Sequence, residues 1–329
     1  MSTSMRAVVI TEAGGPEVLR VLEVPRPEPG PDEVRVRVAT SGVNRADVLQ
    51  RRGGYPAPAG APPDIPGREF SGIVDALGPD VRRWSDGDRV MGIVAGGGYA
   101  EHVLCHEGSA VPVPAGMDAR EAGAIPEAFM TAFDAVFLQE SLREGETLLV
   151  HAVGSGVGTA ALQLGCAFGA RVIGTSRTPA KLERAAALGL EHAVLGDRDW
   201  PQAVLDLTSG RGADVILDLV GGPYLAGNQR VLGRRGRHVV VGVTGGARAE
   251  IDLRALMTRR ASIRGTVLRA RTDDEKAELA RAFEERVLPL FDSGALRPVI
   301  DAVVPAERAG EVHARMEGNE SFGKLLLEW

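Results

Sequence analysis

Glu146-Thr-Leu-Leu-Val-His-Ala-Val-Gly-Ser-Gly-Val-Gly158 is the stretch that decides the fold. An apolar strand runs straight into a glycine-rich turn, and a helical run, Thr159 to Phe168, follows at once. Strand, tight turn and helix N-terminus together make a site for a pyrophosphate, because first-turn amides and the helix dipole face the anion. Gly154 and Gly156 are expected to take backbone angles that other residues avoid, with Ser155 and Val157 in the same turn. Gly158 removes a side chain where helix and strand must touch. The first glycine of G-x-G-x-x-G is missing, since Ala152 stands there. The surroundings therefore carry the assignment more than the motif does.

Those surroundings extend for a hundred residues. Arg171–Ser176 reads as a second strand, Pro179 to Leu188 as a helix, His192–Leu195 as a short strand and Asp199 to Ser209 as a helix. Ala213–Val220 and Arg237–Val243 are continuous apolar runs, as parallel strands buried on both faces should be. Strand and helix alternate, which predicts an α/β domain with a doubly wound parallel sheet of Rossmann type.

The chain of 329 residues suggests about two domains. Its 44% hydrophobic content is enough to fill two cores. No apolar run approaches the roughly 18 residues needed to cross a bilayer. The start, Met1-Ser-Thr-Ser-Met-Arg6, lacks an apolar signal segment. The net charge of -6 argues against a nucleic-acid surface. The expectation is a cytoplasmic enzyme with no nucleic-acid or membrane partner. Of the two cysteines, Cys166 is expected to be a small core residue of the helix after the glycine turn. Cys105 lies in Glu101-His-Val-Leu-Cys-His106, the one cluster with a metal-ligand flavour. On a strand, His102 and His106 share a face and Cys105 takes the other, so the three do not converge. Zinc needs three or four convergent ligands, and none is expected here.

The first 120 residues differ in character. Arg6–Ile10, Val18–Leu22, Glu33–Val38, Phe70–Leu77 and Arg89–Val94 read as strands between proline- and glycine-rich turns, which suggests a barrel-like β domain. After the nucleotide domain come a charged helix from Asp273 to Asp292, a strand at Pro298–Val304, a helix at Pro305–Gly318 and a closing strand at Lys324–Trp329.

This order resembles the medium-chain dehydrogenases/reductases. The strings Gly42-Val-Asn-Arg-Ala-Asp47, Pro66-Gly-Arg-Glu-Phe-Ser-Gly72, Gly96-Gly-Gly-Tyr-Ala-Glu101 and Ile125-Pro-Glu-Ala-Phe-Met-Thr-Ala-Phe133 narrow it further. Together they resemble the zinc-free, zeta-crystallin-like quinone oxidoreductases. Asn-Arg-Ala-Asp followed by Gly-Gly-Tyr-Pro is similar to the branch that includes the tumour-suppressor-induced quinone oxidoreductase. Zinc alcohol dehydrogenases of the same superfamily carry a ligand cysteine near position 42 and a four-cysteine lobe near residues 92 to 108, and this chain has neither. The resemblance implies a GroES-like β-barrel catalytic domain (1–124), a Rossmann insert (125–263) and a C-terminal return to the catalytic domain (264–329). It also implies a reaction cleft between the domains.

Cofactor choice follows from the end of the second strand. An NAD enzyme places an acid there for the ribose 2′-hydroxyl, and that acid would repel a 2′-phosphate. Here Ser176, Arg177 and Lys181 stand with no acid until Glu183, so NADPH is expected. Lys181 matches a family lysine, whereas Arg177 replaces a residue more often glycine. The family often has Asn-Tyr after the third strand, its tyrosine packing near the adenosine; here Leu195-Gly196 leaves that contact missing or supplied elsewhere. The resemblance also implies cofactor contacts at Thr131, Gly242, Val243, Val267, Leu268, Arg269, Asn319 and Lys324.

Asn44 and Tyr55 are the polar residues expected beside the acceptor and the nicotinamide. Asn44 offers an amide to a carbonyl or the nicotinamide ribose, and Tyr55 a ring for stacking and a phenol for donation. The implied activity is reduction of a quinone or related enone by NADPH without a metal. Two alternatives stay open: an enoyl-thioester reductase using Tyr55 as proton donor, and a crystallin-like protein that binds NADPH without turnover. The resemblance implies a homodimer, with a tetramer left open, since relatives pair an edge strand such as the one expected at Ser262 to Leu268, which would be a liability unpaired.

Overall fold

Short runs that carry valine and isoleucine between turns form the strands of the N-terminal third: β1 (Ser4–Ile10), β2 (Leu19–Pro25), β3 (Glu33–Val43), β4 (Glu69–Leu77), β5 (Arg89–Ile93), β6 (His102–His106) and β7 (Ala110–Pro112). The computed structural model describes residues 3–197 and 199–329. Met1 and Ser2, at the start that was read for a signal segment, lie outside them. Two compact units divide the chain, Met1–Met130 with Leu268–Trp329 and Thr131–Val267. Each closes a run of sequence slightly later than the boundaries expected at 124 and 263.

The second unit contains β8 (Thr147–Val150), β9 (Arg171–Ser176), β10 (His192–Leu195), β11 (Ala213–Asp218), β12 (Leu232–Val240) and β13 (Ser262–Gly265). All pair in parallel in the order β10-β9-β8-β11-β12-β13. The order reverses beside β8, so the loops after β8 and β11 splay apart at the carboxyl edge, where ligands of doubly wound sheets bind. β8 is buried throughout, and Leu149, Ile173, Val194, Trp200 and Ile216 pack one core face.

In the first unit, β14 (Ile300–Pro305) and β15 (Lys324–Glu328) return to the N-terminal strands. The sheet runs β14-β15-β3-β4-β5-β7, with β6 also on β3, and β1 and β2 form a separate antiparallel pair. Among the described residues the two ends of that path, β14 and β7, have no further strand partner, so strand pairing does not close the barrel-like domain. Val34, Val36 and Val38 of β3 meet Phe70, Val74 and Val90 in its core. Among the described residues no helix is long and apolar enough to cross a membrane.

Several expected details are corrected. β12 ends at Val240, so Gly242 and Val243 lie in the loop beyond it, where the amides of Val241 and Gly242 bond Asp218 O. β13 stops at Gly265, and beside the half-buried Ile263 its other residues, Ser262, Arg264 and Gly265, are exposed. The charged helix is broken into Asp273–Arg286 and Leu288–Asp292, because Pro289 has no N–H to continue the ladder. Cys166 is exposed, since it falls on the outer face of the helix Gly156–Ala167.

Candidate functional site

The glycine turn of the second unit is built as an anion cradle. Ser155 caps the helix Gly156–Ala167, its Oγ accepting from Gly158 N at 3.0 Å. The amides of Gly156 and Val157, in the first helical turn, have no intrahelical acceptor and are available to phosphate oxygens. The left-handed residue of the turn is Ala152, at φ 50°, and neither Gly154 nor Gly156 has positive φ. A Cβ on Gly158 would lie 2.4 Å from Ala152 O and 2.8 Å from the Val153 backbone. Gly158→Ala is therefore expected to cost about 1–3 kcal/mol by overpacking against backbone, read as a lowered urea midpoint; a midpoint within error of wild type counts against the close contact.

Beneath this turn lies a buried polar chain. His151 Nε2 donates to Asn228 Oδ1 (2.6 Å), so Nδ1 is the acceptor for the Thr175 hydroxyl (2.9 Å). Asn228 Nδ2 and His238 Nε2 both donate to Asp218 Oδ2 at 3.0 Å. Asp218 Oδ1 accepts from the amides of Val220 and Gly221, which shapes the loop after β11. Although burial alone would raise it, the His238 hydrogen bond and those amides hold the Asp218 carboxyl below its usual range. Burial pushes the His151 imidazole down to about 4, and in the first unit pushes His313 down to about 3. Free histidine titrates near 6.5, so on acidification the unfolded chain takes up these protons first. Each unit is thus expected to lose about 1.4 kcal/mol per pH unit through its histidine, beginning below pH ~6.5 and ending near the folded value. Urea midpoints at pH 7, 6, 5 and 4.5 for wild type and His151→Gln test this, and equal slopes for the two proteins exclude it.

At the end of β9, Ser176 is buried and its Oγ accepts from Thr178 N at 3.1 Å, while the side chain of Arg177 is exposed. Lys181 lies half-buried in the first turn of the helix Pro179–Ala186. Thr131 begins the second unit, and its buried Oγ1 has no hydrogen-bond partner among the described residues. Val243 and Val267 are exposed. A glycine cradle, free first-turn amides and an orphaned hydroxyl fit a dinucleotide.

The first unit holds a buried ionic chain that the sequence reading did not find. Lys324 Nζ donates to Val43 O (3.0 Å), Asn44 Oδ1 (2.7 Å) and Glu69 Oε1 (2.6 Å), which uses all three of its protons. Asn44 Nδ2 returns a bond to Glu69 Oε1 at 2.8 Å, and Asn44 N donates to Asp47 Oδ2 at the start of the helix Arg45–Arg51. Glu69 Oε2 accepts from Glu127 N, and Glu127 pairs with Arg68 at 2.6 Å. Tyr99 Oη bridges Asp47 and His313. Burial lifts the carboxyls of Asp47 and Glu127 above the usual range despite the nearby Arg68. The signal available in the sequence was a charged Arg68-Glu69 pair entering an apolar strand and a lysine opening the apolar run Lys324–Leu327.

Tyr55 sits in the loop after the same helix, half-buried, its hydroxyl without a hydrogen-bond partner among the described residues. Arg269 lies over its ring at 5.0 Å and is itself buried. The Arg269 guanidinium bonds Ala95 O, Tyr55 O, Pro56 O and Gln50 Oε1, so it clamps the loop rather than facing outward. Leu268 beside it is buried. Asn319, left-handed at φ 57°, accepts from Arg45 at 2.7 Å. On β6, Cys105 is buried, with its thiol pushed up to about 12 by burial. His102 and His106 face the other way, toward Asp75 and Asp32. Among the described residues no three of His, Cys, Asp and Glu group as metal ligands.

Residues 30–115 match the alcohol dehydrogenase GroES-like domain family, and residues 156–285 the zinc-binding dehydrogenase family. The quinone oxidoreductase of Homo sapiens is 30% identical over 328 residues, covering 98% of this chain and 97% of the relative. Among solved structures, an NAD-dependent alcohol dehydrogenase is 36% identical with a TM-score of 0.88, covering 99% of this chain and 100% of that one. The CurK enoyl reductase is 25% identical with a TM-score of 0.85, covering 99% of both chains.

Proposed function

The chain belongs to the medium-chain dehydrogenase/reductase family, in its zeta-crystallin-like branch, and from that premise we propose that it reduces quinones with NADPH without a metal. The observation that carries the cofactor choice is the end of β9, where a buried serine hydroxyl and the Arg177 guanidinium stand in place of an acid. The whole-length likeness to quinone oxidoreductases supports the acceptor class. Reaction without zinc is supported by the burial of the Cys105 thiol and by the histidines engaged on the opposite face of β6.

When bound, the reduced nicotinamide supplies the hydride. The protein's part is to bind and orient. Gly156 and Val157 amides would hold the pyrophosphate, and the Thr131 hydroxyl would donate to a cofactor oxygen. Asn44 is locked by Lys324, Glu69 and Gly42 O, so its amide keeps one orientation. The Tyr55 phenol is a donor for an acceptor oxygen, and Arg269 fixes the loop that carries it. A quinone is a strong acceptor, and solvent can deliver the protons its oxygens need.

The free Tyr55 phenol also favours a second reading, an enoyl-thioester reductase in which it delivers the α-proton; the likeness to an enoyl reductase supports it. Loss of 340 nm absorbance distinguishes the two. NADPH-specific turnover of 1,2- and 1,4-quinones that survives a chelator is expected. Thioester turnover abolished by Tyr55→Phe, with quinones inert, establishes the enoyl reductase instead. Tight NADPH binding with no turnover of either acceptor establishes a binding protein. We propose a homodimer contact along β13, which among the described residues ends its sheet with one edge unpaired; a monomer mass by light scattering counts against it.

A further inference from the structure

Gly196 and Tyr224 meet at the end of β9. A Cβ on Gly196 would fall 2.7 Å from Tyr224 Oη, 3.4 Å from the Ser176 carbonyl carbon and 3.5 Å from Arg177 N. The absence of a side chain at 196 is thus what lets a phenol from beyond β11 reach the strand end. Tyr224 is placed by rigid neighbours. Its ring stacks on Trp200 (5.3 Å, 18° between planes) and meets the edge of His151 at 4.8 Å, while His151 is pinned by Thr175 and Asn228. The loop before it is tied down by the two Asp218 hydrogen bonds and by Gly222 N to Gly246 O at 2.8 Å. Only the hydroxyl is lightly held, by one long bond of 3.4 Å to Gly196 O. Redirecting it to a ligand therefore sacrifices little. Beside it stand the Ser176 hydroxyl, which accepts from Thr178 N at 3.1 Å and donates through a long bond of 3.3 Å to Thr178 O, and an exposed Arg177 guanidinium with no ion pair among the described residues.

We propose that the Tyr224 hydroxyl, presented across Gly196, is a third group with Ser176 and Arg177 that binds the phosphorylated ribose of the cofactor's adenosine half. This rests on the NADPH reading above and assigns it a residue from a different strand–helix unit. Tyr224 would then set specificity by a hydrogen bond to phosphate, its ring serving as a fixed mount.

Calorimetric titration with two probes, 2′,5′-ADP and 5′-AMP, tests the assignment without turnover. Wild-type protein is expected to bind 2′,5′-ADP more tightly. Tyr224→Phe keeps the ring stack and is expected to weaken 2′,5′-ADP about ten-fold while changing 5′-AMP less than about two-fold. Gly196→Ala keeps the tyrosine but drives a methyl into its hydroxyl, and the same selective loss is expected. Unchanged 2′,5′-ADP binding in Tyr224→Phe overturns the assignment, and so does an equal loss for both nucleotides. Wild-type protein that binds the two nucleotides equally overturns the NADPH reading itself, and the assignment with it.

Discussion

Lys324→Met is expected to lower stability by about 3–5 kcal/mol, because it strands the carboxylate of Glu69 in the interior. Glu69 is 0% exposed and Lys324 5%, and among the described residues the ammonium is the only full charge in direct contact with that carboxylate. Without it, Glu69 keeps just the Asn44 amide and the Glu127 backbone N–H, two neutral donors for a buried anion. The carboxylate is packed so close over Gly42 that a Cβ there would lie 2.1 Å from Glu69 Oε1. Urea unfolding at pH 7 measures the loss. The companion Lys324→Met/Glu69→Gln removes the stranded charge and is expected to regain a large part of it. A single-variant loss under about 1 kcal/mol, or a double variant no better than the single, is incompatible with a buried charge pair at this place.

Ser176→Asp with Arg177→Ala is expected to reverse cofactor preference, shifting the NADPH-to-NADH ratio of kcat/KM by a factor on the order of 100 or more. A charge-assisted hydrogen bond contributes about 1.5–3 kcal/mol, roughly ten- to a hundred-fold, and the double change removes one such contact while adding a repulsion. The new carboxylate would stand at the end of β9, where an acid accepts from an unphosphorylated ribose. NADPH should therefore lose and NADH gain. Steady-state kinetics with both cofactors decides it, and a ratio unchanged by the double substitution means the 2′ position is recognised elsewhere.

Elements whose cause is local were legible from the chain alone. The strands Arg171–Ser176 and His192–Leu195 have the bounds read for them, because short β-branched runs between turns and helix starts leave little choice. The helix after the glycine turn begins earlier than expected, at Gly156, because the Ser155 cap supplies the acceptor its first turn needs. Strand ends were less legible. β12 stops at Val240 although apolar residues continue, since its ladder ends where the chain turns to bond Asp218 O. Exposure of Cys166 was missed for a similar reason: which side of a helix faces the sheet is decided by packing, not by the residue's own polarity.

The sequence by itself determined that the chain holds a doubly wound nucleotide fold set within a β-rich one, because hydrophobic period, turn chemistry and helix caps act over a few neighbouring residues. It also placed a hydroxyl and an arginine, with no acid, at the end of the second strand. The tertiary structure alone decided the rest of the site. Antiparallel pairing of Leu325 with Val43 sets Lys324 beside Asn44, 280 residues apart, and so creates the buried Lys324–Asn44–Glu69 cluster. The stack that holds Tyr224 against Gly196 arises likewise from strand order. Such contacts depend on register and close approach between distant segments, and burial makes the charges among them strong only after the chain has folded around them.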